Sequence, residues 1–272
     1  MAEHSAPVEA IEKAAGSAAT VVPAAANQIG YGARFLGKHG WRILLAFVGI
    51  LLPLLFFASL VGELREGSGF FFDLPIQVAL HKLATPGVDA FFVAMSKLGY
   101  QWGVVPVDAL LLGFLMWKRH YRDGLFFGLS IIGSLVLNMA AKNHFARGRP
   151  DLWASIAPEM SFSFPSGHAM ASVTLGVAVI ALAWNTRWRW WVFAASVLFV
   201  VLVGTSRVYL GVHFPSDILA GWAAGTAWVL LMHQAVAGHA PAPPSTGKAA
   251  AKPDMIARSD TAKVAKAEGA AG

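Results

Sequence analysis

No cysteine occurs among the 272 residues, which excludes disulfides, thiolate catalysis and cysteine-based zinc sites. Any covalent catalysis therefore needs another nucleophile. Charge is scarce as well: 13% of residues are Asp, Glu, Lys or Arg, against about 25% in soluble domains. The net charge of +6 comes from basic residues scattered over helix ends and tails, so no single basic face is left to bind nucleic acid. Residues 1–37 lack the basic start and continuous apolar core of a signal peptide, and no cleavage is expected. No internal repeat of the kind that builds inverted-repeat transporters is visible.

Apolar residues, at 56% of the chain, are what the sequence has in excess. The runs Trp41–Val61, Trp102–Trp117, Gly124–Ala141, His168–Trp184, Trp190–Thr205 and Pro215–Val236 reach or approach the roughly 20 residues that cross a hydrocarbon core. They predict an all-α fold, a bundle of six transmembrane helices in one domain over 38–236. An Ala-rich mobile segment, 1–37, precedes it, and a disordered Ala/Pro/Lys-rich tail, 237–272, follows. Taken singly, the short second, fourth and fifth runs also fit buried helices of a soluble protein. Between the first two spans, Asp73–Leu83 and Val88–Leu98 read as helices of the first outer loop. Val88, Phe91, Phe92, Met95 and Leu98 mark one apolar face suited to the membrane interface. Trp41, Trp102, Trp117, Trp184, Trp188, Trp190 and Trp191 sit near span ends, as interfacial anchors do.

Lys38 and Arg42, then Lys118, Arg119 and Arg122, then Arg187 and Arg189, and finally Lys248 to Lys266 all fall on one side of a six-span serpentine. The positive-inside rule makes that side, and both termini, cytoplasmic. Three polar segments lie at the opposite end: Lys142–Pro150 (KNHFARGRP), Pro165–His168 (PSGH) and Ser206–Asp217 (SRVYLGVHFPSD). Basic residues there run against the rule, and an anionic substrate supplies the reason.

Ser166 is a good N-cap for the apolar run after it, so the first-turn amides form an anion site that Gly167 lets an oxyanion approach. An ordinary capped helix accounts for the same four residues. His213 and Asp217 are four apart across Pro215, which suits the first turn of a helix. The carboxylate can then fix the ring tautomer and leave the other nitrogen as a nucleophile or base. A capping Asp beside an interfacial His is the alternative, and a metal site is a third, opposed by the basic neighbours. Lys142, Arg149 and Arg207 match phosphate oxygens. Snorkelling explains each alone but not their company. Arg147 and His144 read as loop residues.

The arrangement K-x6-R-P, P-S-G-H and S-R-x5-H-x3-D resembles the type-2 phosphatidic acid phosphatases, or lipid phosphate phosphatases, which share their site with glucose-6-phosphatases and vanadium haloperoxidases. The resemblance runs from about Phe70 to Val236. It implies a helical membrane protein with a metal-independent, cofactor-free phosphomonoesterase or pyrophosphatase site. By motif position it makes His213 the nucleophile that forms a phosphohistidine, Asp217 its orienter and His168 the acid for the leaving oxygen. Lys142, Arg149, Arg207, Ser166 and the Gly167 amide would hold the phosphoryl group.

The function expected is hydrolysis of a lipid phosphate or pyrophosphate at the outer face of a bacterial inner membrane. Similar compact members act on undecaprenyl pyrophosphate, phosphatidylglycerophosphate, phosphatidate or lipid A phosphates. Undecaprenyl pyrophosphate leads, because an outer-facing site is where that carrier is released. Partners are the substrate and membrane lipids, with no obligate protein partner. The competing readings are a vanadate-dependent haloperoxidase, which a membrane bundle does not motivate, and a non-catalytic lipid-phosphate binder or transporter, which has no need for two histidines.

Overall fold

The computed structural model describes residues 47–237 apart from Ser68, together with Gly37, Gly40 and Leu44. Apart from Gly37 and Ala237, the expected mobile segment 1–37 and tail 237–272 lie outside the described residues. So does most of the start of the first expected span. Within the described residues the chain is helical, with no strand.

A π-helical turn, Phe47–Leu51, runs into α1 (Leu52–Glu66), which ends at Gly67 in the left-handed conformation that closes many helices. Helices α2 (Asp73–His81) and α3 (Pro86–Leu98) follow. Thr85 caps α3 by accepting from the Val88 amide at 3.4 Å, and Pro86 fits the first turn, where its missing N–H costs nothing. The remaining helices are α4 (Val104–Trp117), α5 (Tyr121–Phe145), α6 (Gly167–Ala183), α7 (Arg189–Tyr209) and α8 (Pro215–Ala237).

Within the described residues each apolar run of the sequence thus forms a helix over most of its length. By length and composition, Phe47–Glu66, α5 and α7 suffice to cross a membrane, whereas α4 and α6 are shorter apolar helices. Helices α5 and α7 also run past their apolar runs, because polar residues at a helix end continue the turn without adding hydropathy. That extension carries Lys142 and Arg207 on the last turns of α5 and α7.

Helix α6 is the hub, packed against α5, α7 and α8. Its buried face is made largely of small or polar residues, including Ala169, Ser172, Thr174, Gly176 and Ala178. Large apolar side chains such as Leu110, Ile132, Val136 and Leu198 point outward. This inversion suits helices whose outer solvent is lipid, where small residues allow close packing. A Cβ on Gly221 would fall 2.8 Å from the Ser166 carbonyl oxygen, and one on Gly225 would fall 2.5 Å from Val173 Cγ1. Helices α6 and α8 therefore touch nearly backbone to backbone, which sets the N-terminus of each beside the other. Leu115, Phe126, Phe127, Leu175, Ala178 and Val229 cluster toward the opposite end of the bundle from the three motifs. The motif end keeps smaller apolar clusters, Phe164 with Ala220, Ala169 with Val208 and Ile218, and Tyr209 with Leu210 and Val212, around its polar groups.

Candidate active site

At the motif end, the Ser166 amide donates to the Asp217 carbonyl at 3.1 Å, so the PSGH turn and the start of α8 are joined through the main chain. The Ser166 hydroxyl accepts from the Ala169 amide at 3.5 Å, as an N-cap does. A Cβ on Gly167 would lie 3.2 Å from Asn138 Oδ1 and 3.9 Å from Lys142 Cε. Glycine here also admits α5 against α6, a role the sequence reading did not foresee.

His213 lies on the short connection between α7 and α8, fully buried, with its Nδ1 3.3 Å from Asp217 Oδ2. The same carboxylate oxygen accepts from the Phe214 amide at 2.9 Å. Arg149 faces the other ring nitrogen, with Nη1 3.2 Å from His213 Nε2. A guanidinium has no lone pair to offer, so the contact requires the lone pair on Nε2 and the proton on Nδ1, facing Asp217. Burial first, then the Arg149 and Arg207 guanidiniums, push the His213 pKa well below its ordinary value. The ring is neutral at pH 7.

Arg147 lies in the connection after α5, as the sequence reading has it, whereas His144, read as a loop residue too, falls on the last turn of α5. The Arg147 guanidinium spans Asp217 Oδ1 at 2.5 Å and Asp73 Oδ2 at 3.0 Å, and it donates to Ser216 Oγ at 2.8 Å. Ser216 closes the group by donating its amide to Asp73 Oδ1 at 2.9 Å and its hydroxyl to Asp73 Oδ2 at 2.6 Å. Stacked over the Phe214 ring at 4.2 Å, Arg147 holds the orienting carboxylate from behind. Gln77 donates to the His213 carbonyl at 3.1 Å, so α2 braces both histidine and aspartate.

Glu159 is the residue that motif spacing gave no reason to select. Its carboxylate accepts from Arg149 Nη2 at 2.7 Å and from Arg207, and lies 3.6 Å from His168 Nδ1 and 3.9 Å from His213 Nε2. Burial works against its ionisation, but Arg207 and the other facing cations outweigh that and hold its pKa at about 2. An anion thus stands where the cations converge. Arg207 also donates to Ser96, so α3 anchors it, and Arg149 is fixed by donating to the Val212 carbonyl at 2.6 Å and the Ser161 carbonyl at 2.7 Å.

The other expected residues stand somewhat apart. Lys142 donates to the Phe162 carbonyl at 2.5 Å and to Ser161 Oγ at 3.1 Å, and His168 sits 5.2 Å, ring to ring, from Tyr100. Both line a cavity of about 580 Å³ that opens beside the buried His213. Among the described residues no group of three or more His, Asp or Glu side chains has the geometry to hold a metal ion.

Residues 123–240 match the family model described as the PAP2 superfamily. An undecaprenyl-diphosphatase of Sulfolobus acidocaldarius is 34% identical over 194 residues, covering 70% of this chain and 86% of that protein. Phosphatidylglycerophosphatase B of Bacillus subtilis is 32% identical over 177 residues, 63% of this chain and 86% of its own. The crystal structure of the transmembrane PAP2-type phosphatidylglycerolphosphate phosphatase from Bacillus subtilis superimposes with a TM-score of 0.65 at 27% identity, covering 72% of this chain and all of that one. A relative matched over most of its length at this identity, on a helical bundle that folds alike, establishes that the chain belongs to the PAP2 superfamily, as a membrane phosphatase of lipid phosphates or pyrophosphates.

Proposed function

We propose that the protein hydrolyses its lipid substrate through a phosphohistidine on His213. The observation that carries this reading is the ring's setting: Nδ1 against Asp217 and a lone pair on Nε2 directed toward the arginines. In the first step His213 Nε2 attacks phosphorus, the P–N bond forms, the bond to the leaving oxygen breaks, and His168, entering the step as an imidazolium, gives that oxygen its proton. In the second, water attacks phosphorus, His168 takes the water proton, and the P–N bond breaks to release phosphate. Splitting the displacement in this way lets one fixed set of donors stabilise both transition states. Arg149, Arg207, Lys142 and the amides after Ser166 are the donors, and the incoming phosphate displaces the Glu159 carboxylate from the two arginines.

The helices that carry the site would span the membrane six times, with both termini cytoplasmic and the motifs at the outer face. The positive-inside distribution supports this topology, and so do the outward-facing apolar side chains of α4, α5 and α7. Helix α4, at 14 residues, is about 21 Å long by its rise per residue, so it would need its flanking turns to cross. Reporter fusions after Ala237 and within 151–160 test this, and a cytoplasmic signal at the second site overturns the outward-facing assignment.

Phosphate release by the purified protein, measured over a panel of lipid phosphates and pyrophosphates with and without chelator, tests the chemistry. Turnover that survives chelation and is blocked by vanadate is expected. Complete loss in chelator with recovery on adding a divalent ion overturns the protein-only site.

A further inference from the structure

The cavity of about 580 Å³ lies between α4, α5 and α6, and His168, Lys142 and Glu159 line its end nearest the motifs. His213, Arg207 and Asp217 are not among its walls. In an in-line displacement the nucleophile and the leaving group lie on opposite sides of phosphorus. With His213 buried on one side and the proton donor on the cavity wall, the leaving alcohol has the cavity as its place.

Deeper in that cavity stands Asp108 of α4, the sole charged residue in the run Trp102–Trp117. No hydrogen bond or ion pair reaches its carboxyl among the described residues, and its Oδ1 is buried without a partner. A carboxyl left unpaired within an apolar helix is costly, and such residues mark the path of a substrate or ion. None of the polar side chains on the same walls, Tyr100 and Gln101 included, is bonded to it among the described residues. Ser134 and Thr174 share a hydrogen bond at 2.8 Å, and Asn138 donates to the Pro165 carbonyl at 3.2 Å. A ligand in the cavity can supply the missing partner.

We propose that this cavity binds the leaving alcohol and that Asp108 selects one with a free hydroxyl near the phosphate ester, as in a glycerol-type headgroup. The inference rests on the phosphatase reading above and narrows its substrate class. A hydroxyl donates to a carboxylate and accepts from a carboxylic acid, so the match holds in either protonation state. The volume suits a small-molecule site and exceeds a glycerol unit several-fold. Ile131, Leu135 and Met139 on the same walls can receive the start of an acyl chain. A polyprenyl phosphate leaving group carries no alcohol hydroxyl for Asp108 to read.

The test compares kcat/KM for 1-oleoyl-glycerol-3-phosphate and its 2-deoxy analogue, using the full chain in phosphatidylcholine vesicles, for wild type, Asp108→Leu and Asp108→Asn. Because the readout is a ratio within each variant, a fold defect that slows both substrates leaves it unmoved. Wild type should favour the hydroxylated substrate about tenfold or more. Asp108→Leu should bring the ratio near one, while Asp108→Asn, which keeps an acceptor, should fall between. An unchanged ratio in Asp108→Leu overturns the proposal, as does equal turnover of both substrates by wild type. Loss of all activity in both variants also overturns it, by making Asp108 a residue of the fold. Release of phosphate from neither substrate by wild type, nor from any other lipid phosphate, sinks the phosphatase reading itself.

Discussion

The two sides of the site are built differently. Around His213 everything is packed and paired: Asp217 is held by Arg147 and by the Phe214 amide, and Arg147 in turn by Asp73 and Ser216. Around His168 the protein is open. The histidine side chain is 18% exposed, Glu159 opposite it is 26% exposed, and the Asp108 carboxyl on α4 has no partner among the described residues. A nucleophile must keep one tautomer and one direction whatever the substrate, so rigidity serves it. A leaving group differs from one lipid to the next, and the side that receives it is where a family sharing one chemistry can diverge in substrate.

The contrast is broken most completely by removing the proposed nucleophile. Replacing His213 by Ala should lower kcat by at least about 10⁴-fold, with KM little changed, since the phosphate-binding cations remain. Residual activity within tenfold of wild type would assign the attack to another group. Next comes the support behind Asp217. Arg147→Ala strands two buried carboxylates, and a lost or tilted orienter should cost about 10²- to 10³-fold in kcat. The rate of phosphoenzyme formation should fall in parallel while KM stays near wild type. A change confined to thermal stability would show that Arg147 serves the fold alone.

A smaller effect is expected from the internal anion. Glu159→Gln removes the carboxylate that competes with phosphate for Arg149 and Arg207, so inorganic phosphate should inhibit about tenfold more tightly. Weaker inhibition would mean that Glu159 helps to assemble the pocket. The same side chain should leave a trace in acid. Its pKa is held at about 2 against an ordinary 4.5, so its stabilising contribution is complete above 4.5 and lost as pH falls toward 2. Melting temperature should drop across that window in wild type and drop less in Glu159→Gln.

How much of this was legible beforehand follows the same division. Helix positions were readable from the apolar runs, and the packed side was readable from its motifs, because Arg149, Ser166, Arg207, His213 and Asp217 keep short spacings that helix ends impose. Arg147 was underrated because one of its partners, Asp73, is 74 residues away, joined to it by tertiary packing alone. Glu159 sits in a stretch without motif or periodicity, where nothing local marks a residue that faces four distant groups. Asp108 did leave a signal, a single acid in an otherwise apolar run, which hydropathy averaging absorbed into a short span. Helix ends slipped by a few residues because hydropathy ends before the hydrogen-bonded turn does.

The division of labour between the two histidines is the claim on which the rest depends, and a leaving-group comparison reaches it most directly. Activity of His168→Ala would be measured on a lipid phosphate and on p-nitrophenyl phosphate, beside His213→Ala, with acid-quench labelling for phosphohistidine. His168→Ala should lose about 10²- to 10⁴-fold on the lipid substrate, and much less on the aryl phosphate, whose anion departs without a proton. His168→Ala should still label, and His213→Ala should not. Equal loss on both substrates in His168→Ala, with labelling retained in His213→Ala, would contradict the account and exchange the two roles.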